Sequence, residues 1–195
     1  MERHKPQPPP SSTGKPQKSA EDWLSAGLSL LAKQGLEAVK VERLATLLGV
    51  TKGSFYWHFR DRDALLVALL ERWRDVSTQA IIERVNAGGG TPAERLQALI
   101  GMTSRGKRGW QLEHAMRAWG ARDRHTRSVL EAIDAQREAY VRDLLIEHGL
   151  STSAATRRAH TFYLTLIGEH TWIAHGGTPS EPDAWLDLLQ LLLQH

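Results

Sequence analysis

Apolar residues recur along most of this chain at intervals of three and four, the period of a helix with one buried face. Trp23, Leu24, Gly27, Leu28 and Leu31 form the first such stripe, and Gly35 ends it. Ser19 with Asp22 three residues on resembles a capping box at its start. Leu44, Leu47 and Leu48 share a face of a second, short segment. Leu65, Leu66, Leu69, Leu70, Trp73 and Val76 make a longer stripe behind the capping residue Asp61, and the pattern can run on to Asn86. A glycine-rich break follows at Asn86 to Gly90. Thr91, Pro92 and Glu94 then supply cap, first-turn proline and capping-box acid for a helix through Leu96, Leu99 and Ile100. Arg105 to Gly109 reads as a basic loop. Further stripes lie in Trp110 to Trp119, Arg124 to His148, Ser153 to His175 and Ser180 to Gln194. The last is apolar nearly all round, which predicts burial on more than one side. No stretch reads as a strand, and there is no internal repeat. The expected fold class is all-α.

The stretch from Val41 to Leu65 carries the chemistry. Gly49 stands where a left-handed residue ends a helix at low cost, and Thr51 can cap the next one. Two short helices joined by a glycine turn make a helix-turn-helix, whose second helix reads DNA. Lys52, His58 and Tyr56 can meet the phosphate backbone, while Ser54, small and polar, and Trp57 lie nearer base edges. Leu44, Ala45, Leu48, Gly49, Val50, Thr51, Lys52, Gly53, Tyr56, His58, Phe59, Arg62 and Leu65 together resemble the signature of the TetR family of bacterial transcription regulators. The run Tyr56-Trp57-His58-Phe59 is its most specific part. The resemblance implies that Arg62 faces the duplex. Lys40 stands where that family often has a threonine, so it can touch phosphate but cannot cap. The DNA-binding set is thus Lys40, Thr51, Lys52, Gly53, Ser54, Tyr56, Trp57, His58 and Arg62.

With this resemblance the organisation becomes specific. Residues 1–18 are expected to be a disordered basic tail rich in proline, and 19–65 a three-helix DNA-binding bundle. Residues 66–195, entered through a linker helix, would form a helical body for ligand binding and dimerisation. The resemblance also implies an inducer pocket in the body. Trp110, His114, Trp119, His160, Tyr163 and His170 are suitable lining, being aromatic with a few polar tips. A helix-turn-helix head acts in pairs, so the body needs a self-complementary surface. The apolar residues of the last two helices are the candidates: Phe162, Leu166, Ile173, Trp185, Leu188, Leu189 and Leu192.

Composition narrows the alternatives. The 195 residues can bury a core, and the net charge of +3 argues only weakly for nucleic acid. There is no cysteine, hence no disulfide or thiolate chemistry, which fits a reducing cytosol. No apolar run approaches the roughly 20 residues of a membrane span, and no signal-peptide core opens the chain. A soluble cytoplasmic protein is expected. His160 and His170 lack metal-ligand spacing, and no nucleophile elbow or phosphate-binding loop is present, so no metal, cofactor or catalytic set is expected. The expected partners are an operator duplex, a small organic effector and a second copy, with no membrane. The competing possibility is a helical small-molecule carrier or enzyme with a vestigial head.

Overall fold

The computed structural model describes residues 18–104 and 106–194. Residues 1–17 of the expected tail, and Arg105 of the expected basic loop, lie outside them. The described residues form helices α1 (Ala20–Gln34), α2 (Val41–Leu48), α3 (Lys52–Tyr56), α4 (Arg62–Arg74), α5 (Ala80–Gly88), α6 (Pro92–Thr103), α7 (Lys107–Gly120), α8 (Arg124–Glu147), α9 (Thr152–Ala174) and α10 (Pro182–Leu193). The all-α expectation holds. The expected basic loop is in part the first turn of α7, which opens at Lys107.

Capping fixes several of these boundaries. Ser19 and Asp22 close a capping box on α1, as do Thr91 and Glu94 on α6 behind Pro92. Asp61 Oδ1 accepts the Ala64 amide at 2.8 Å and starts α4. Gly49, at φ 69, takes the left-handed conformation that ends α2, and the chain turns there into α3. Thr51 stands at the N-cap of α3 but makes no side-chain capping bond.

The linker helix has an unexpected centre. From α4 into α5 the backbone never leaves right-handed helix, but Asp75–Gln79 form a π turn. Arg62 to Gly88 is therefore one rod with a one-residue bulge at its middle. Gly27 lets α1 cross the rod closely, because a Cβ there would lie 2.8 Å from Leu69 Cδ2.

Two apolar cores flank the rod. One holds Trp23, Leu31, Leu44, Phe55, Leu65, Leu69 and Trp73, and also Met116, Trp119, Leu130 and Ile133 from α7 and α8. The other holds Val85, Leu96, Leu99, Val141, Leu145, Phe162, Trp185 and Leu189. Packing thus joins the first helices to the body through Met116 and Trp119, across the expected boundary at residue 65. Two readings of the pattern need correction. Leu47, expected on the buried face of α2, is 61% exposed. The last helix, expected to be covered on several sides, buries Trp185, Leu189 and Leu192 but leaves Leu186 and Leu191 on the surface.

Candidate functional site

The reading helix is held from behind by aromatic packing. Phe55 is fully buried, 5.3 Å from Trp23 edge-on and 5.5 Å from Phe59. With Phe55 fixed inward, helical geometry turns Thr51, Lys52, Gly53 and Tyr56 outward, and Trp57 follows at the C-cap. Tyr56 is 62% and Trp57 81% exposed. Two large rings left in water on one short helix mark a contact surface. Lys40 is exposed at the N-cap of α2, without a capping bond. Ser54 is half-buried. Lys52 pairs with Glu42 of α2, both side chains being more than half exposed.

His58 and Arg62 are placed differently from the expectation. His58 Nε2 lies 2.7 Å from the Lys18 carbonyl oxygen, donating to it in a half-buried position. Arg62 donates from Nε to the Val39 carbonyl at 2.7 Å and from Nη2 to the Leu36 carbonyl at 3.1 Å. Those carbonyls belong to the tight turn between α1 and α2, where the short 3-10 segment leaves acceptors without helical partners. Arg62 therefore pins the entry to α2, and His58 ties the start of α1 to the end of α3.

Between the two cores, beside the π turn, lies a cavity of about 250 Å³. Trp73, Ile81, Leu99, Met102, Trp110, Val141, Phe162 and Leu166 are among the apolar residues of its wall. Its polar end is built on Arg137. Nε donates to Thr78 Oγ1 at 2.9 Å, Nη1 to Glu113 Oε2 at 3.1 Å and to the Tyr163 hydroxyl at 3.3 Å, and Nη2 to Ser77 Oγ at 3.1 Å. Its guanidinium also lies 5.4 Å over the Trp73 ring. Behind it, Asp134 receives two bonds from Arg117 at 2.9 and 3.1 Å and one from the Tyr163 hydroxyl at 2.6 Å. Glu113 Oε1 stands 2.8 Å from Arg117 Nη2, off line for a hydrogen bond, so that contact is an ion pair only.

Burial works against the Arg137 charge, but the Glu113 carboxylate and the hydrogen bonds to Glu113 and Tyr163 together outweigh it and hold the guanidinium charged. Burial pushes the Tyr163 hydroxyl up, so it stays protonated and can donate to Asp134. Across the cavity His170 donates from Nε2 to the Thr103 carbonyl at 3.1 Å, and burial lowers its pKa, leaving the ring neutral.

Trp110, Tyr163 and His170 thus line one cavity as expected. His114, Trp119 and His160 do not. His114 turns to the other side of α7, edge-on to His175 at 4.9 Å. Trp119 packs into the core shared with the head. His160 is exposed and faces both Glu138 carboxylate oxygens at 3.2 Å. Arg137, Glu113, Thr78 and Trp73 are missing from the expected set. The signal was present: Ile133, Arg137 and Val141 fall on one stripe of α8, and Glu113 falls between Leu112 and Met116 on α7. A charge on an otherwise apolar stripe must be buried with a partner.

The expected pairing residues also need correction. Phe162, Leu166, Ile173, Trp185, Leu189 and Leu192 are buried within the protomer, and Leu188 is half-buried. These side chains close its second core, except Ile173 near the end of α9. Beyond His160, α9 leaves outside Thr161, Leu164, Thr165, Gly168, Thr171 and Trp172, a continuous stripe at helical spacing.

Comparison with known proteins places these features. A family model described as bacterial regulatory proteins, tetR family, matches residues 24–69. The transcriptional repressor NemR of Escherichia coli K12 is 32% identical over 83 residues, 43% of this chain and 42% of NemR. The chain thus matches less than half the length of that relative. In fold the likeness is wider. A regulator from Saccharomonospora viridis in complex with choline superposes with a TM-score of 0.75 at 15% identity, over 90% of this chain and 95% of that one. FadR of Bacillus subtilis in complex with stearoyl-CoA gives 0.68 at 15% identity, over 90% and 98%. The head, residues 24–69, thus matches the TetR family of bacterial regulatory proteins in sequence, and the chain shares the fold of these solved regulators over 90% of its length.

Proposed function

We propose that this chain is a ligand-responsive repressor that binds a palindromic DNA operator as a homodimer and leaves it when a small molecule enters the cavity. One observation carries the reading: a single rod, Arg62 to Gly88, connects an exposed aromatic and basic face at one end to the wall of a built cavity at its middle. A ligand that prefers one arrangement of this rod shifts the head by its differential affinity for the two states and by no more. Two proteins of the same fold were solved with small molecules, choline and stearoyl-CoA, and NemR is a repressor, which supports the assignment. A cytoplasmic location suits such a partner, and among the described residues no helix is long and apolar enough to cross a membrane.

One head makes too few base contacts to find a site among a genome's competitors. The pairing surface we assign is the outer stripe of α9, together with the exposed Leu191 of α10. Small residues such as Gly168 and Thr165 let helices approach, while Leu164 and Trp172 supply apolar area. The test is selection of full-length protein on a random-sequence duplex library at physiological salt. Enrichment of an inverted repeat with half-sites about one helical turn or more apart is expected. Recovery of no common sequence would overturn the proposal.

A further inference from the structure

We infer that the cavity takes an uncharged, mainly apolar molecule and rejects both anions and cations of the same shape; this rests on the reading of the cavity as the effector site. The charges at its polar end already balance. Glu113 and Asp134 stand against Arg117 and Arg137, all within one set of contacts. Arg137 has no donor to spare. A guanidinium carries five N–H groups, and here they meet Thr78 Oγ1, Glu113 Oε2, the Tyr163 hydroxyl and both oxygens of Ser77. A carboxylate or phosphate could take Arg137 only by detaching it from the linker helix or from Glu113.

The carboxylates are committed to cations, although Glu113 Oε1 accepts no hydrogen bond and is held only by its ion pair with Arg117. Asp134 holds Arg117 and the Tyr163 hydroxyl, and Glu113 is flanked by both arginines. An ammonium would have to displace one of those guanidinium groups and leave it buried without its counter-charge, which is costly. His170 on the opposite wall is neutral and offers no charge to either kind of ion. The rest of the wall is aromatic and aliphatic, with Trp110, Met102 and Phe162 prominent. A volume of about 250 Å³ is the space of roughly eight waters at about 30 Å³ each, enough for a two-ring molecule.

A shape-matched series separates charge from size: 1-naphthylacetamide, 1-naphthylacetate and 2-(1-naphthyl)ethylammonium, titrated calorimetrically into full-length protein at pH 7.5. The neutral amide should bind about tenfold or more tighter than either ion. Glu113→Gln leaves one positive charge in excess and should bring naphthylacetate level with the amide or ahead of it. Asp134→Asn should do the same, so that one variant failing to fold leaves the other, with circular dichroism reporting helix content. A wild-type preference for either ion, no binding by any of the three, or an unchanged order in a folded variant would overturn the inference. Duplex affinity measured beside each titration keeps the two readings apart. An amide that binds without weakening DNA binding supports the neutral cavity and sinks the effector reading.

Discussion

Arg137 of α8 reaches the π turn of the linker helix and donates from Nε to Thr78 Oγ1 over 2.9 Å, with Thr78 almost fully buried. The bond joins the body to the rod that carries the head. Removing its donor also strips Glu113 of one of its two cations. Arg137→Met should therefore destabilise the protein by about 3–5 kcal/mol, the cost of breaking a buried ion pair from one side. For a chain of this size that is roughly 10 °C in melting temperature. Thermal unfolding followed at 222 nm checks it. A change under about 2 °C would mean that the network is solvated and contributes little.

Gly53 occupies the exposed side of the reading helix with ordinary backbone angles, and a methyl there would find nothing nearer than Thr51 Oγ1 at 3.6 Å. The free protein thus has no packing reason for a glycine, which costs about 0.5–1 kcal/mol relative to alanine inside a helix. Gly53→Ala should raise stability by up to that amount and weaken duplex binding about tenfold, because the methyl keeps the backbone away from the groove. Urea unfolding and fluorescence anisotropy on one preparation measure both. Unchanged DNA affinity would remove Gly53 from the interface.

Lys52 must leave Glu42 to touch a phosphate, and an exposed pair of this kind is held by under about 1 kcal/mol. Lys52→Ala should weaken binding to all sequences alike and lower the salt slope by about 1. Glu42→Gln should strengthen binding. If Lys52→Ala changes the preferred base without changing the slope, Lys52 reads sequence instead.

Burial lowers the His170 pKa, whereas in the unfolded chain it returns to about its ordinary 6.5. Below that pH the unfolded chain binds a proton that the folded one resists, so stability is full above about pH 6.5 and falls toward the depressed folded value. His170→Gln should flatten this part of the stability–pH curve between pH 7 and 5. Parallel curves for the two proteins would assign the acid sensitivity elsewhere.

The buried face of α10 and the exposed face of α9 give opposite mutational outcomes. Leu192→Glu, which would test pairing if α10 met its copy there, instead places a charge in the protomer's own core and should unfold it. Leu164→Glu combined with Trp172→Glu should leave helix content intact and yield monomers at micromolar concentration in sedimentation. A fully dimeric double variant would put the pairing surface elsewhere.

Sequence pattern carried the head further than the body, for a physical reason. Gly49, Phe55 and the caps at Ser19, Asp61 and Thr91 act on neighbours a few residues away, so their signals lie within one window. The cavity instead joins Thr78, Glu113, Arg137 and Tyr163 from four separate segments. Aromatic content pointed to Trp110 and Tyr163 but equally to Trp119, which packs against the head. Arg62 shows the same limit in miniature: its partners, Val39 and Leu36, are carbonyl oxygens, which side-chain pattern does not reveal. Apolar pattern marks what is buried first, and the protomer's own core has the first claim on Phe162 and Leu192.

The five residues of the π turn also set how the rod would respond to a change in chain length. Each residue of an α-helix advances about 100°, so deleting one from Arg62–Arg74 or Ala80–Gly88 would swing the head around the rod and misalign it with its copy. Within Asp75–Gln79 the wider turn already carries the surplus residue. A deletion there would be absorbed as the segment tightens into ordinary helix, keeping the head in phase while forfeiting the grip of Arg137. Heading and hold could then be removed one at a time.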